Sequence, residues 1–418
     1  MFPRRSLPPA AAPIGSAGIS SGIRGMFRGR KEIERFRSEL KEYFGVRHCF
    51  LVSSGKAALA LILMALKELS PARDGVLIPA FTCYSVPSSV IRAGLRIRLC
   101  DLQSNGFDFD FAQVSTLLSG TARPRGADRA DPGRALLAVV PTHLFGYPAD
   151  VQRLRNLIQD RGITIVEDAA QAMGESREGR KLGTLGDVGF FSLGRGKAFS
   201  TVEGGVIVTD QDDIARVLKR RVDSLPGYGF WGSLKLVCKA AGLALLIHPM
   251  LFWIPRSLRF LRLGETLFER DFPILRMSSF QAGLAANWVE RLRNLRDARM
   301  ANVKRWLAIL EEIGNCGPWL EHSRTLGLVR YPIRVRDPDR RSSLLQESAE
   351  RGAGVAPVYP DSINRLPELR AEIPAQACPI AESCASELVT LPTHAYLTPD
   401  DMAMLRRLLS RAVAAGGD

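Results

Sequence analysis

Apolar side chains recur at three- and four-residue intervals across residues 31–44, at Ile33, Phe36, Leu40 and Phe44, and Gly45 follows. That spacing predicts an amphipathic helix stopped by a glycine. A short apolar run then meets Ser53-Ser54-Gly55, and residues 57–66 are apolar all round, which reads as strand or turn, polar cap and a buried helix. Further apolar runs at 76–79, 96–100, 135–140, 163–166, 188–192 and 206–209 alternate with helical stretches. The alternation predicts an α/β layer with a largely parallel sheet. Ligands of such sheets gather beyond the carboxyl ends of the strands. Several runs end there in polar or special residues: Pro79-Ala80-Phe81-Thr82, Thr142-His143, Glu167-Asp168 and Ser192. Residues 121–134 are polar and read as a surface loop. Past residue 276 the pattern becomes a long helical stretch, about 278–312, followed by shorter strands and helices. The expected organisation is a basic, flexible arm at 1–30, a large domain at 31–275 and a small domain at 276–418.

With 418 residues the chain can bury a sizeable core, and its 46% hydrophobic and 24% charged content is that of a folded globular protein. The net charge of +14 raises the question of a polyanionic partner, whether nucleic acid, anionic lipid or a phosphorylated metabolite. Nucleic acid is not expected: there is no basic helix with base-reading geometry, no aromatic stacking platform and no zinc finger. The seven cysteines stand singly without a CxxC pair, which argues against a disulfide framework or a metal site and for a reducing, cytoplasmic setting. Residues 1–31 carry six cations and no acid, and lack the apolar core of a signal peptide.

Only ten of the 57 basic residues are lysines. Lys197 differs from the rest in lying at the end of Phe191-Ser192-Leu193-Gly194-Arg195-Gly196-Lys197, a glycine-flanked loop between an apolar strand and Glu203-Gly204-Gly205. An amine held there can form a Schiff base with a carbonyl if desolvation or a cation such as Arg195 makes its neutral form available. A phosphate-binding or structural lysine fits the same loop. Asp168 follows the run at 163–166, and a carboxylate at the end of a buried strand is costly unless paired. A protonated pyridine nitrogen would pair with it and stay an electron sink. Ser54-Gly55-Lys56 opens a buried helix whose free N–H groups suit a phosphate, although Ser54 also reads as an ordinary cap. Lysine, aspartate and a phosphate cradle on separate strands are what pyridoxal 5'-phosphate requires. A Rossmann reading fails for want of GxGxxG after the first strand, and a P-loop reading for want of GxxxxGK[ST].

Eight collinear segments carry a further signal: Ser54-Gly55-Lys56-Ala57-Ala58-Leu59, IPAFTCYSV at 78–86, HLFGYPAD at 143–150, VEDAAQAMGE at 166–175, FSLGRGK at 191–197, EGGVIVTD at 203–210, RMSSFQAGL at 276–284 and LPTHAYLTPDD at 391–401. Their order and wording resemble the sugar aminotransferases of the DegT/DnrJ/EryC1/StrS family, a branch of the fold-type-I pyridoxal-phosphate enzymes. The resemblance implies a mostly parallel seven-stranded sheet flanked by helices, plus a smaller C-terminal α+β domain. It makes Lys197 the Schiff-base lysine and general base, and Asp168 the partner of the pyridine nitrogen. Gln171, one helical turn on, would reach the ring hydroxyl. Ser54, Ser192 and the backbone at Gly55 and Lys56 would hold the phosphate. It also implies a homodimer and a ping-pong transamination in which glutamate gives its amine to the cofactor, which then aminates a keto-sugar, generally nucleotide-linked.

The chain departs from the family pattern at three places. Cys83 stands where the family stacks an aromatic ring on the cofactor, with Tyr84 beside it. Ile274 replaces an asparagine that reaches the neighbouring subunit's phosphate. Lys56 replaces the threonine of an SGT motif, and its ammonium is expected to make up the phosphate contact. An aminotransferase for a non-sugar carbonyl, and a family member without turnover, remain as alternatives. A dehydrating branch of the family has histidine at the Schiff-base position, so Lys197 points to transamination.

Residues 221–276 are longer and greasier than the resemblance implies. Residues 240–255 carry no formal charge, interrupted by His248-Pro249, and Arg256, Arg259 and Arg262 then alternate with apolar residues. This is short of the ~20 residues that span a bilayer. The segment at 230–264 is expected either to touch the inner face of a membrane, with a lipid-linked sugar as substrate, or to pack on the core or a dimer interface.

Overall fold

The computed structural model describes residues 5–119, 136–159, 161–258, 266–314 and 323–413, so the loop expected at 121–134, and Arg259 and Arg262 of the arginine ladder, lie outside the described residues. Nine strands belong to the first part of the chain: β1 His48–Val52, β2 Gly75–Pro79, β3 Arg96–Cys100, β4 Leu136–Val139, β5 Thr164–Asp168, β6 Ser176–Arg177, β7 Arg180–Lys181, β8 Val188–Ser192 and β9 Gly205–Thr209. The β6–β7 pair is a separate hairpin, and the other seven form one sheet in the order β1-β9-β8-β5-β4-β2-β3. β9 runs antiparallel to both of its neighbours and every other pairing is parallel. The parallel strands therefore deliver Thr82, Thr142, Asp168 and Ser192 to one edge of the sheet. All six expected runs are present within two residues of their expected ends.

Helices cover both faces, which is why β2 and β9 read as unbroken apolar runs: each is buried at every position. On one face lies α3 Gly55–Leu69, whose residues 57–63 are buried without interruption because it packs on β8 and β9 and is flanked by α4 Ser85–Arg92 and α7 Asp212–Ser224. On the other, α5 Phe111–Leu118 and α6 Val151–Ile158 close over Leu77, Val139 and Ile165. The helix expected at 31–44 is α2 Arg30–Phe44, ended by Gly45 at φ +66°. Its apolar stripe buries Phe36, Leu40 and Phe44, a contribution of about 1.5–3 kcal/mol for Phe36 alone.

The stretch expected as one helix at 278–312 is two. α10 Ser279–Leu284 carries a capping box between Ser278 and Gln281, and α11 Trp288–Glu312 starts after Asn287, which sits at φ +52°. α11 leads to a three-stranded antiparallel sheet of β10 Tyr331–Arg334, β12 Leu388–Leu391 and β11 Ala356–Pro357, with helices Pro338–Arg351, Pro379–Glu387 and Pro399–Val413.

The N-terminal segment corrects the expectation of a flexible arm. Residues 5–14 lie against the body, with Leu7, Ala11, Ala12 and Ile14 buried, and α1 Ser16–Arg28 packs on α10. The composition, rich in Pro, Ala, Ser and Gly, suggests a linker but serves close packing. A Cβ on Gly25 would fall 2.5 Å from the Ser279 carbonyl oxygen, and one on Gly283 2.5 Å from that of Ser21. The apolar insertion forms α8 Phe230–Leu246 and, after the His248-Pro249 turn, α9 Trp253–Ser257. No helix among the described residues is long and apolar enough to cross a membrane.

Candidate active site

Two adjacent carboxylates end β5, and the pleat sends them into different surroundings. Glu167 accepts hydrogen bonds from His143 Nε2 (2.8 Å), from Gly183 N (2.9 Å) and from the amides of Leu185 and Gly186. The Ala149 amide donates to His143 Nδ1 (2.9 Å), so the ring proton sits on Nε2 and faces Glu167. Burial pushes the Glu167 carboxyl up, but His143 and the amides outweigh it and hold the group below its ordinary range. Asp168 receives one amide, from Ala170 (3.0 Å), and is 5% exposed. Burial dominates there and raises the carboxyl, with the Ala170 amide, Lys197 and His143 opposing only in part. No cation lies within ion-pair distance of Asp168 among the described residues.

Ser54 caps α3 from an extended conformation, its Oγ accepting from the Ala57 amide (3.1 Å). The helix start is pressed against the end of β8: a Cβ on Gly55 would stand 2.8 Å from Ser192 Cβ, and one on Gly205 only 2.2 Å from the Ser54 carbonyl. Ser54, Gly55 and Ser192 thus meet at one helix N-terminus, where unpaired N–H groups and the helix dipole favour an anion. The Lys56 ammonium goes elsewhere. It pairs with Glu269 and lies over the Phe272 ring, 4.8 Å from its centre, so only the Lys56 backbone faces the cradle.

Lys197 stands in the irregular loop between β8 and β9. The loop is fastened from below by Arg299, buried at 2% exposure, which donates to the carbonyls of Lys197 (3.0 Å), Ala198 (2.8 Å) and Ala11 (3.1 Å). Desolvation lowers the Arg299 pKa to about 10, still charged at neutral pH. Lys197 opens onto a pocket that also receives Cys83, Gln171, Arg195, Arg330 and Tyr359. Gln171 is not one helical turn beyond Asp168: residues 169–174 form turns, and its Nε2 donates to Tyr359 Oη (3.3 Å). Tyr84 begins α4 and its hydroxyl donates to the Asp361 carbonyl (3.0 Å). The aromatic ring beside Cys83 is Tyr359, packed edge-on against Phe81. Ile274 packs against the main core.

Sequence reasoning missed Arg299, Arg330 and Tyr359. Arg330 only immediately precedes β10, Tyr359 sits in an irregular stretch, and Arg299 is one of several arginines in a helix. Arg330 lines the pocket without a carboxylate partner among the described residues, and burial lowers its pKa. The buried hydroxyls of Thr82 and Thr142, at the ends of the β2 and β4 runs, also lack a partner among the described residues.

The model of the DegT/DnrJ/EryC1/StrS aminotransferase family matches residues 23–229 and 273–408. The chain belongs to this family. The match passes over 230–272, where α8 and α9 lie. Among DegT/DnrJ/EryC1/StrS relatives, an L-glutamine:2-deoxy-scyllo-inosose aminotransferase of Streptomyces fradiae is 28% identical, over all of this chain and 94% of its own. A GDP-perosamine synthase of Caulobacter vibrioides is 25% identical over 88% of this chain and 87% of its own. The fold is shared with DesI crystallised with its TDP-sugar product (TM-score 0.74, 20% identity, 99% and 94% of the two chains) and with Helicobacter pylori PseC, an aminotransferase of pseudoaminic acid biosynthesis (TM-score 0.74, 15% identity, 98% and 99%). The protein is an aminotransferase of the DegT/DnrJ/EryC1/StrS family with the fold-type-I architecture.

Proposed function

We propose that the enzyme uses pyridoxal 5'-phosphate to move an amino group from glutamate to the keto group of a nucleotide-linked sugar. The observation that carries this is Asp168, a buried carboxylate with no ion-pair partner among the described residues, in the neighbourhood of Lys197. A pyridine nitrogen supplies the missing proton donor, and the hydroxyls of Thr82 and Thr142 supply further unmet hydrogen-bonding capacity. Ser54, Ser192 and the first amides of α3 fit its phosphate. When bound, the cofactor contributes an electron-withdrawing ring that stores and returns an amino group.

The protein's own part is to hold and move protons. Asp168 keeps one on the ring nitrogen, and Lys197 Nζ takes and returns one at the reacting carbon. Arg195 and Arg330 both line the pocket, and two cations match the two carboxylates of glutamate better than the single one of glutamine. A second reading of the acceptor is a keto-cyclitol, favoured by the full-length likeness to the Streptomyces fradiae enzyme.

The test is spectroscopic. The purified protein, supplied with pyridoxal 5'-phosphate, is expected to be yellow; glutamate bleaches it, and Lys197→Ala abolishes the band without loss of thermal stability. Recovery of the colour with a panel of nucleotide-linked keto-sugars and keto-cyclitols then identifies the acceptor. A protein that stays colourless and binds no cofactor would refute the proposal.

A further inference from the structure

We propose that the outer face of α8 is a docking surface for an anionic lipid bilayer. The helix is held on one side only: Leu236 and Ala240 are buried, and Val237 and Leu243 half-buried, against Ile14, Phe280 and Leu284. On its other side Trp231, Leu234, Cys238, Ala241 and Leu245 follow one another at three- and four-residue intervals and are all exposed. They form a continuous apolar stripe of about 21 Å. Trp231 is 77% exposed, Phe230 76% and Leu245 61%. Single exposed apolar residues are ordinary, whereas a stripe along a whole helix marks an interface.

Charge indicates what covers it. Residues 224–264 contain no acid and five cations in sequence, of which Lys239 pairs with Glu203 (2.8 Å), Arg256 donates to Ser6 and the Ala349 carbonyl, and Arg259 and Arg262 lie outside the described residues, so Lys235 is the cation that α8 itself offers beside the stripe. Lys235 is exposed on α8 with no acidic partner among the described residues. The neighbouring α1 is likewise free of acids, and exposes Ile23, Met26 and Phe27 beside Arg24, with Arg28 at its end paired to Glu32 of α2. Apolar side chains flanked by cations suit the boundary between acyl chains and anionic headgroups. A second copy of the same helix would bring like charges together. The helix is too short to cross, so it lies in the plane of the interface. It also belongs to the 230–272 segment that the family match omits, so the family's chemistry does not call for it.

The test is flotation of the full-length protein with vesicles of phosphatidylcholine alone, or of phosphatidylcholine with phosphatidylglycerol. Binding is expected to the mixed vesicles only, and to weaken as salt is raised. Trp231→Glu with Leu245→Glu should abolish it, and Lys235→Glu should reduce partitioning by about fivefold or more. Because these side chains are already solvated, circular dichroism and sedimentation of the variants should match the parent protein. Failure of the parent to float at low salt, or flotation undiminished in the double variant, overturns the proposal. So does dissociation of the double variant into smaller species, which would assign the stripe to a second copy. Flotation does not depend on cofactor or turnover, so this outcome and that of the proposed reaction are separable.

Discussion

Asp168→Asn should act in opposite directions on the empty and the loaded enzyme. Asparagine has the same shape, and its oxygen can still accept the Ala170 amide hydrogen bond. In the protein without cofactor it removes a carboxylate that burial disfavours. A carboxyl whose folded-state pKa is raised weakens the fold as pH climbs from its ordinary value, near 3.8, through the folded value. The empty variant should therefore be as stable as the parent at acid pH and more stable at neutral pH. With cofactor the sign reverses, because the ring nitrogen loses a buried opposite charge. Breaking such a pair costs about 3–5 kcal/mol, or roughly two to three and a half decades in affinity at ~1.4 kcal/mol per decade. Thermal denaturation of the stripped proteins across pH, together with absorbance titration by pyridoxal 5'-phosphate, measures both halves. An empty variant clearly less stable than the parent at neutral pH, with cofactor affinity retained, would refute the reasoning.

Other expectations concern the supports of the site. Gly25→Ala places a methyl 2.5 Å from the Ser279 carbonyl, which should cost about 1–3 kcal/mol and lower the thermal midpoint; an unchanged midpoint would mean that α1 does not dock on α10. Arg299→Met leaves three carbonyls without their charged donor, and at about 1–3 kcal/mol for each unmet group should loosen the Lys197 loop and admit protease at residues 5–14. His394 is buried and donates from Nε2 to the Pro8 carbonyl (2.8 Å), with a pKa lowered to about 4 by desolvation. The unfolded chain takes up its proton near pH 6.5 and the folded chain only near 4, so this residue should withdraw up to ~3 kcal/mol of stability as pH falls across that window. His394→Gln should flatten the acid limb of the stability profile.

What could be read in the chain was whatever repeats locally. Strands buried on both faces are continuous apolar runs, so β2, β8 and β9 are evident, and the polar residues that follow β2 and end β8 mark the ligand edge. Lys197 and Asp168 were found because each is chemically conspicuous where it stands. Tyr359 and Arg330 of the pocket were not, since they reach it from the C-terminal part of the chain through contacts no local pattern encodes. The N-terminal segment was misread for a related reason: helices that approach through Gly22, Gly25 and Gly283 need small residues, and small residues also compose linkers. Gln171 was placed on a helix by its distance from Asp168, whereas the chain turns at once after β5.

The fastening by Arg299 bears on how the protein can be handled. One guanidinium joins the carbonyl of Ala11 to those of Lys197 and Ala198, and Ala10 lies close to Gly196. A leader of prolines and alanines is what a cloning design trims first for tidiness. Here such trimming would take away a segment that Arg299 ties to the Lys197 loop and leave a buried cation with an unmet donor. An affinity tag is better carried at the far end of the chain, and a shortened version that expresses well but fails to turn over would be an effect of the lost Arg299 contact, not evidence against the chemistry.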